Sequence, residues 1–600
     1  MNTDRNPYVV TKALNSYLKG SVIIAISGHL VTTSDALIVS WLIGSKAFTA
    51  INIVIPVLTL FSAIMVLLGT GASISISKSL GKRDKNNVNL SFSSTFIASV
   101  IIGVIMAILT YKFTSEIVRY LVHTDVHIEH YAFLYLKNFC YAVPFLIVGG
   151  TVGYMVRTDG NSNLVSTAVW IGIILNVVLD FIFIRFLNYG VAGAAWATAI
   201  NYGLKLIICL FHFFSRNNTI RWSFDIKHYL QKIFYNCRLG FSTSLNTLLP
   251  AVTLFIINNI MLRYHGSEGI YCWAVCYQVF LILQMIISGI DTSIFAIGGV
   301  LLGEEDVKGL DILYKRCAIY LIISIVLLSA AIILFPEFFG NLFGNKGEDK
   351  LDLLPSVLKI FSFFLLPYAL IMQVRSIYTI LERSFLSLFL CIAPFVIMVV
   401  LVYFASVDQI PEYWWSFPVT AWGVLVLLFM YTLVIRLRNH NLRMFSLIPK
   451  TMAGPSYNVS VPLNGEAVNA TERDIKDFLT AQKVNAQKIE YITSCSSKIM
   501  EDIVKDLLQN AKNNKYFDIN LRIKGNNIII ILKDAGKRID EKREEEIFSN
   551  LNQIASSATK MEISSDTSES GKLSVTNQSP NFSTNYFYMN NQNTFTINFN

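Results

Sequence analysis

Polar residues of cation-binding type interrupt otherwise apolar stretches of the sequence. The two aspartates and the threonine among them each stand eight to ten residues from a glycine at which an apolar stretch ends. If those stretches are helices that end at one surface, a rise of ~1.5 Å per residue puts these three side chains about 12–15 Å below it. The asparagine is one helical turn from an aspartate, on the same face. The four residues are Asp35, Asn176, Asp180 and Thr198.

This set could take up a proton or bind Na⁺. A charged side chain in the middle of a membrane helix costs about 2.5–3.5 kcal/mol, so two carboxylates at one depth need compensation. Two close carboxylates do not both ionise cheaply, and one of them is expected to hold a proton. Na⁺ could instead bind the carboxylates together with the amide and hydroxyl oxygens. The alternative is that each residue only hydrogen-bonds a neighbouring helix.

The composition predicts that helices crossing a membrane position these residues. The chain has 600 residues, of which 53% are hydrophobic and only 15% charged. Apolar blocks long enough to span a bilayer alternate with short polar breaks from about residue 21 to residue 437. We expect an all-α polytopic membrane protein with twelve spans, followed by a small α/β domain. The spans begin near residues 20, 47, 91, 131, 162, 190, 236, 269, 313, 354, 384 and 414.

The charges of the loops predict the orientation. The breaks after even-numbered spans are basic, as in "GKRDKNN" at 81–87 and in the loop 216–238, whereas the breaks after odd-numbered spans are neutral or acidic. The positive-inside rule then puts both termini in the cytoplasm of a multi-pass protein of the cell membrane. The basic loops beside the spans account for most of the net charge of +9, so no nucleic acid partner is expected.

An internal repeat organises the spans. The segments that open with Gly-Ser at Gly44 and at Gly266 both reach a Leu-Gly pair 37 residues later, at Gly81 and Gly303. The offset between the two segments is about half the length of the membrane region, which predicts two parallel, pseudo-symmetric six-helix lobes with a substrate path between them. The alternative is chance similarity between apolar segments.

Several segments resemble the multidrug and toxic compound extrusion (MATE) family. They are the stretch from "SDALIVSWLIGS" to "SKSLGKRD", the motif "VRTDGNS", and "LNVVLDFIFIRFLNYGVAGAAWATAI". The resemblance covers about residues 10–440. It implies efflux of organic, often cationic, compounds driven by H⁺ or Na⁺. It also implies a coupling site formed by the positions Asp35, Asn176, Asp180 and Thr198.

The second lobe departs from the family pattern. It lacks the Glu on helix 7 that some members use, and it carries a mid-helix Asp291 where the first repeat has Gly69. Asp291 could line a substrate cavity, or it could pair with Arg375 to hold helices together. Lys205, in the sixth helix of the first lobe, is a further intramembrane charge and a candidate cavity residue.

The polar tail is predicted to be a separate domain. Residues 439–471 are rich in Asn, Pro, Gly and Ser and indicate a linker. Beyond them an amphipathic helix over "SSKIMEDIVKDLLQNAKNN" precedes two strands joined by a Gly-Asn-Asn turn.

The order of helix, hairpin and "DAGKRID" resembles the histidine-kinase-type ATP-binding fold, especially the small anti-sigma-factor kinases. That resemblance implies a Mg²⁺-phosphate motif at Asp506 and Asn510 and an adenine-reading turn at Asp534 and Gly536. The second glycine of the turn is Arg538 here, and no glycine-rich lid remains to cradle phosphates. We therefore expect a degenerate docking or regulatory domain that does not require ATP or Mg²⁺.

The leading prediction is a non-enzymatic, cation-coupled drug antiporter with a regulatory tail. Its expected partners are a small organic substrate, the lipid bilayer and a cytoplasmic protein that binds the tail. The alternatives are a lipid-linked saccharide flippase of the same superfamily, which Lys205 and Arg375 would serve, and a membrane-anchored nucleotide-binding signalling protein. The predicted domains are residues 1–222, 223–438, 439–471 and 472–600.

Overall fold

The computed structural model describes most of the chain in two compact units. One unit comprises Tyr17–Glu305 and Leu313–Pro449, and the other comprises Met1–Ser16, Asp306–Ile312 and Lys450–Asn600. For residues 23–37, 40, 45, 267, 340–342, 508–510, 582–583 and 585–589 only the backbone is described. The described ranges are 5–121, 126–214, 218–342, 352–408, 412–450, 455–510, 515–525, 527–536, 543, 545–547, 549–551, 582–589 and 592–599.

The larger unit is built from two successive sets of helices. The first set, which we call the first copy, contains α1 Tyr8–Leu42, α2 Ser45–Lys82, α3 Lys85–Leu121, α4 Val126–Phe139, α5 Val143–Thr158, α6 Ser162–Phe181 and α7 Val191–Leu210. The second copy contains α8 Tyr229–Ser293, α9 Gly299–Gly303, α10 Val307–Leu334, α11 Pro336–Leu342, α12 Leu353–Ile380, α13 Ser384–Val407 and α14 Ser416–Arg438.

Ten helices of the described chain are long and apolar enough to cross a membrane, and a bent pair, α4 with α5, makes an eleventh candidate. α8 supplies two of the ten because it is broken at Gly266, where φ is 65°. α1 has 35 residues, but the side chains of residues 23–37 and 40 are not among those described. The chain is thus a polytopic helical protein, and the count of twelve spans stays a prediction.

The backbone repeats at the predicted offset, the one that relates Gly44 to Gly266. These two glycines have φ values of 124° and 65° at equivalent turns. The same offset relates two non-glycine residues with positive φ, Arg83 (60°) and Glu305 (55°), and each of them lies just after the end of a helix. Since a non-glycine residue at positive φ is uncommon, the recurrence is specific. The two copies therefore share one backbone plan.

The two copies meet at equivalent glycines. A Cβ on Gly81 would lie 2.9 Å from the Cα of Gly303, and a Cβ on Gly303 would lie 2.9 Å from the Cα of Gly81. Ser77 and Gly299, which the repeat also relates to each other, touch in the same way. Such reciprocal contacts are those expected around a two-fold axis. We call this end of the helices the Gly81 end and the opposite one the Gly44 end.

The smaller unit contains a five-stranded antiparallel sheet with two helices, α15 Gly465–Ala481 and α16 Ala486–Asn510, packed against an apolar face of the sheet. The strand order is β1-β2-β3-β5-β4. The predicted hairpin is confirmed, with Gly525 at φ 59° in its turn. The strands are β1 Ser456–Pro462, β2 Tyr516–Lys524, β3 Asn527–Asp534, β4 Phe582–Met589 and β5 Gln592–Phe599.

The predicted linker over 439–471 is wrong for its second half. β1 and the first turns of α15 lie inside it, and Asn464 caps α15 by accepting a hydrogen bond from the Ala467 N–H at 2.8 Å. β1 pairs with β2 along its whole length. The folded domain therefore begins at about Lys450 rather than at residue 472.

Candidate functional site

α6 places Asn176 and Asp180 inside the first copy. The helix begins at Asn161, whose side chain accepts a hydrogen bond from the Leu164 N–H at 3.2 Å and thereby caps it. Asn176 and Asp180 are both 0% exposed. The regular helix ends at Phe181, one residue after Asp180, and a π-helical turn, Ile182–Phe186, follows it. Such turns are frequent at functional sites.

Thr198 lies on α7, the helix that follows α6 and packs against it. α6 and α7 approach closely at two points, where a Cβ on Gly172 would meet Asn201 Oδ1 at 2.2 Å and a Cβ on Gly193 would meet Phe183 Cβ at 2.9 Å. Thr198 lies between the two contacts on α7, and Asn176 lies between them on α6. Thr198 is 2% exposed, and its hydroxyl donates to the Ala194 carbonyl at 3.0 Å.

The amide of Asn176 is not satisfied by the protein. Neither its oxygen nor its nitrogen has a hydrogen-bond partner among the described residues. A buried amide without partners costs about 1–3 kcal/mol, so such a group in a native fold calls for a ligand or a water. Three of the four predicted residues, Asn176, Asp180 and Thr198, are thus buried on the adjacent helices α6 and α7. That they bind a cation together stays a prediction.

The side chain of Asp35 lies outside the described residues, although its backbone belongs to α1. The described part of α1 packs on α6, because the Ser166 hydroxyl donates to the Gly20 carbonyl at 3.3 Å. That α1 completes the site with Asp35 stays a prediction.

In the second copy, Asp291 pairs with Arg375. Arg375 Nη2 donates to Asp291 Oδ2, and the Ser376 hydroxyl donates to Asp291 Oδ1 at 2.6 Å. A further hydrogen bond of 3.3 Å joins Arg375 Nη1 to the Thr243 hydroxyl. Arg375 is 0% exposed and Asp291 5%. Of the two roles considered for Asp291, the structure shows the helix-joining ion pair.

The ion pair occupies positions that are glycines in the first copy. In the repeat, Asp291 corresponds to Gly69 and Arg375 to Gly153. Lys205 on α7 is half-buried, and the described residues include no ion-pair partner for it. A cavity of about 480 Å³ in the second copy, between α8 and α13, includes none of the predicted site residues.

Contacts between the copies, which the sequence did not predict, cluster towards the Gly81 end. Arg157, from the "VRTDGNS" motif, donates from Nη2 to the Thr292 hydroxyl of the second copy at 2.9 Å and, within the first copy, to the Ser21 hydroxyl at 2.8 Å. Lys78 forms an ion pair with Glu382, and the Ser77 hydroxyl donates to the Phe295 carbonyl at 2.9 Å. The motif could have drawn attention to Arg157, but spacing alone does not reveal its partners.

The tail residues of the predicted nucleotide motif are engaged by the protein. Asp506 accepts hydrogen bonds from Arg543 Nε at 3.1 and 3.2 Å. Asp534 accepts from the Gly536 N–H at 2.7 Å and from the Asn593 side chain at 2.8 Å. Burial raises the pKa of Asp534 to about 6, although these two hydrogen bonds oppose the rise. The side chain of Asn510 lies outside the described residues.

Comparison with known protein families decides the class. The MatE family profile matches residues 22–182 and 243–404, which is more than half of the chain. The chain belongs to the MatE family. Its two matched segments are separated by almost the same offset as Gly44 and Gly266, in agreement with the repeat. With its apolar helices, this MatE chain is a multi-pass membrane protein.

Curated relatives include a multidrug export protein and a probable multidrug resistance protein. The chain is 26% identical over 281 residues to the multidrug export protein MepA of Staphylococcus haemolyticus, covering 46% of this chain and 60% of MepA. It is 24% identical over 276 residues to the probable multidrug resistance protein YoeA of Bacillus subtilis, covering 44% and 59%. The alignments thus span less than two thirds of these relatives.

Solved structures show the same fold. A multidrug resistance MATE family transporter in an outward-facing conformation aligns with a TM-score of 0.66 at 22% identity, over 74% of this chain and 97% of that one. A MOP superfamily transporter from Pyrococcus furiosus, described as having a binding pocket of reverse polarity, also gives 0.66 at 22% identity, over 72% and 97%.

Proposed function

We propose that this MatE protein exports organic compounds across the cell membrane and that H⁺ or Na⁺, bound among Asp35, Asn176, Asp180 and Thr198, drives the export. The observation that carries the proposal is the pair Asn176 and Asp180. Both are fully buried one turn apart on α6, and the amide of Asn176 lacks partners within the described protein. The drug-export relatives favour organic substrates.

The chemistry of the set favours ion coupling. A carboxylate in a low-dielectric interior is stabilised when it gains a proton or a hard cation. Either event changes the net charge at the α6–α7 interface, and it stabilises one packing of the first copy over another in proportion to its differential affinity. The π-helical turn after Asp180 is a place where such a repacking can occur without breaking the regular part of α6.

The contacts between the copies support an alternating-access cycle. The polar contacts and close backbone contacts of α2 with the second copy begin at Ala63 and reach Arg83. The Ala63 carbonyl accepts a hydrogen bond from the Ser244 hydroxyl at 2.8 Å, and Arg83 Nη2 lies 3.8 Å from Glu304 Oε1. These residues extend from the middle of α2 to the Gly81 end. The loops at that end are basic, so we place it in the cytoplasm. The described conformation is then closed on the cytoplasmic side, and transport requires the copies to separate there.

Of the two cationic residues that the flippase alternative requires, Lys205 and Arg375, one is already paired with a carboxylate. A lipid pyrophosphate would require positive charge available in a central cavity, but Arg375 is neutralised by Asp291 and fully buried. Lys205 alone would remain to bind it.

For the tail, we favour a regulatory domain that is derived from the histidine-kinase-type fold and does not use nucleotide. Arg543 donates a hydrogen bond to the carboxylate of Asp506, the position that in the histidine-kinase-type family would bind Mg²⁺ and phosphates.

The test is drug resistance conferred by Asp180→Asn in a drug-sensitive host. We expect resistance to be lost at unchanged expression, because the amide neither ionises nor takes up a proton. Asp408→Asn, which changes an exposed aspartate at the end of α13, is the matched control and is expected to retain resistance. Full resistance in the Asp180→Asn strain would refute the proposed site.

A further inference from the structure

The sheet of the C-terminal domain has two different buried faces. The face towards α15 and α16 is apolar and includes Phe517, Ile530 and Phe595. On the opposite face the buried side chains are largely polar or charged, for example Asp518 at 2% exposure and Lys533 at 4%. Since isolated buried charges are costly, this polar face must be matched by groups that bind it.

Arg5, near the start of the chain, binds this polar face. Its Nε and Nη2 atoms donate to Asp518 Oδ2 at 3.2 and 2.9 Å, and its side chain is only 3% exposed. The next residue, Asn6, donates its N–H to the Ser460 hydroxyl of β1 at 2.9 Å. Ser460 and Asp518 are directly paired across β1 and β2, so the N-terminal segment crosses two strands.

The first turns of α1 continue the contact. Lys12 Nζ donates to the Ala535 carbonyl at 2.8 Å, and the Gln592 side chain donates to the Val9 carbonyl at 3.0 Å. The N-terminal segment is therefore held from β1 to the end of β3 and the start of β5.

A second segment, residues 306–312, joins the same cluster. Arg5 Nη1 donates to Asp306, and Lys533 Nζ lies 4.0 Å from the other oxygen of that carboxylate. Asp306 also accepts from the Gly309 N–H at 2.9 Å and is 1% exposed. Burial alone would raise the pKa of Asp306, but the two cations outweigh it and hold that pKa well below its ordinary value. One arginine is thus shared between Asp306 and Asp518.

The two segments that meet on the sheet are the starts of different helices. Residues 5–16 lead into α1 of the first copy, and residues 306–312 form the start of α10 of the second copy. Both helices begin at the Gly81 end, where a transport cycle must separate the copies.

We propose that the C-terminal domain slows the separation of the two copies at the Gly81 end, a role that we call the brake. It binds residues 5–12 and residues 306–309 on one polar face. It thereby holds the starts of α1 and α10 together and favours the conformation closed at the Gly81 end. Release of this face, by variation or by a competing protein, frees the two helix starts to move apart. The consequence for export rests on the proposed function, whereas the conformational effect does not.

Arg5 is the residue on which the brake depends. Its planar guanidinium binds two carboxylates at once, a geometry that neither lysine nor an amide can reproduce. Removing one member of a buried, hydrogen-bonded charge cluster leaves the others uncompensated, so Arg5→Ala is expected to release both segments from the sheet.

The test is the reactivity of a cysteine buried between the copies. Ser77 is 0% exposed, and its hydroxyl contacts the carbonyl of Phe295, so Ser77→Cys reacts with a maleimide only when the copies separate at the Gly81 end. In the full-length protein we expect Arg5→Ala to raise this labelling rate at least ~5-fold. Arg473→Ala, at an exposed arginine on α15 of the same domain, is the matched control and is expected to leave the rate unchanged.

A disulfide provides the opposite perturbation and does not depend on whether Arg5→Ala weakens the domain. With Asn6→Cys and Ser460→Cys, oxidation ties the N-terminal segment to β1, and labelling at Ser77→Cys should fall below that of the same protein after reduction. Hydrogen exchange of β3 amides reports whether the domain stays folded in Arg5→Ala.

Equal labelling of the wild-type, Arg5→Ala and oxidised Asn6→Cys/Ser460→Cys backgrounds would overturn the brake. Drug efflux measured on the same variants separates the two claims. If labelling responds as expected but no variant exports an organic compound, the transport proposal fails and the brake stands.

Discussion

At the scale of single residues, two of the buried aspartates, one in each copy, have different surroundings. Asp291 is neutralised by Arg375 and hydrogen-bonded by Ser376. Asp180 lies beside the amide of Asn176, with the Thr198 hydroxyl on the facing helix. A buried ion pair such as Asp291–Arg375 contributes to cohesion between helices, whereas the carboxylate, amide and hydroxyl oxygens of the proposed site are of the kind that a hard cation prefers.

This contrast predicts the effect of breaking the ion pair. Asp291→Asn leaves the buried guanidinium of Arg375 uncompensated, and we expect it to destabilise the protein by about 3–5 kcal/mol. The double variant Asp291→Leu/Arg375→Met removes both charges and should be markedly more stable than the single one. Thermal unfolding in detergent measures both. An Asp291→Asn protein as stable as the wild type would contradict a structural role for the pair.

The carboxyl of Asp534 predicts how the stability of the tail depends on pH. Its pKa is about 6 in the folded protein, above the ordinary value of 3.8, mainly because it is buried. The folded state thus binds a proton more tightly than the unfolded state does. The stabilising contribution is complete below pH 3.8 and is lost as the pH rises through 6, a change of about 3 kcal/mol.

The measurement is hydrogen-exchange protection of β3 amides in the full chain between pH 4 and pH 7, corrected for intrinsic exchange rates. Protection should fall with rising pH in the wild type, and the slope should be smaller in Asp534→Asn, whose amide does not titrate. Identical slopes would show that Asp534 is not the titrating group.

At the scale of helices and strands, glycines set how closely the two copies approach. A Cβ on Gly303 would lie 2.2 Å from the Lys78 carbonyl, which is backbone and cannot move aside cheaply. Gly423 on α14 has no atom within 4 Å of its Cβ position. Both glycines are helical, so alanine improves helix propensity at both. Only the contact between the copies differs.

Gly303→Ala is therefore expected to hold the copies apart at the Gly81 end, whereas Gly423→Ala is expected to be neutral or slightly stabilising. The rate at which a maleimide labels Ser77→Cys measures the difference, and it should rise in Gly303→Ala alone. If both alanine variants label like the wild type, the contact at Gly303 does not control closure.

The sequence predicted the elements well where a simple physical rule applied. Apolar length predicted the ten long apolar helices of the described chain, and the matched Gly-Ser and Leu-Gly positions gave the offset that the φ angles of Arg83 and Glu305 repeat. The sequence did not predict β1, a short strand in a segment rich in Asn, Pro and Ser. It is stabilised by pairing with β2, which is distant in the chain. Local composition does not contain that pairing.

The candidate site was predictable in part. Spacing from Gly190 predicted Asp180 and Thr198 at one depth; the structure shows both buried, on α6 and α7, and their common depth stays a prediction. Arg157 and Arg5 could not be assigned, because their partners are set by tertiary packing. Each of them joins segments that are far apart in the chain.

At the scale of the whole molecule, three features support one account. The first copy carries the buried residues of the proposed cation site, the two copies meet towards the Gly81 end, and the C-terminal domain binds the starts of α1 and α10. An exporter built this way would use ion binding to change the packing of the first copy, and it would use the tail to set how readily the copies separate.

The most direct test of this account is transport by the purified protein in liposomes. A fluorescent organic cation is followed while a proton gradient or a Na⁺ gradient is imposed separately. We predict that one of the two gradients drives accumulation or release of the cation and that Asp180→Asn abolishes this response, whereas Asp408→Asn preserves it. Movement of the cation at the same rate without any gradient, or an undiminished response in Asp180→Asn, would contradict the account.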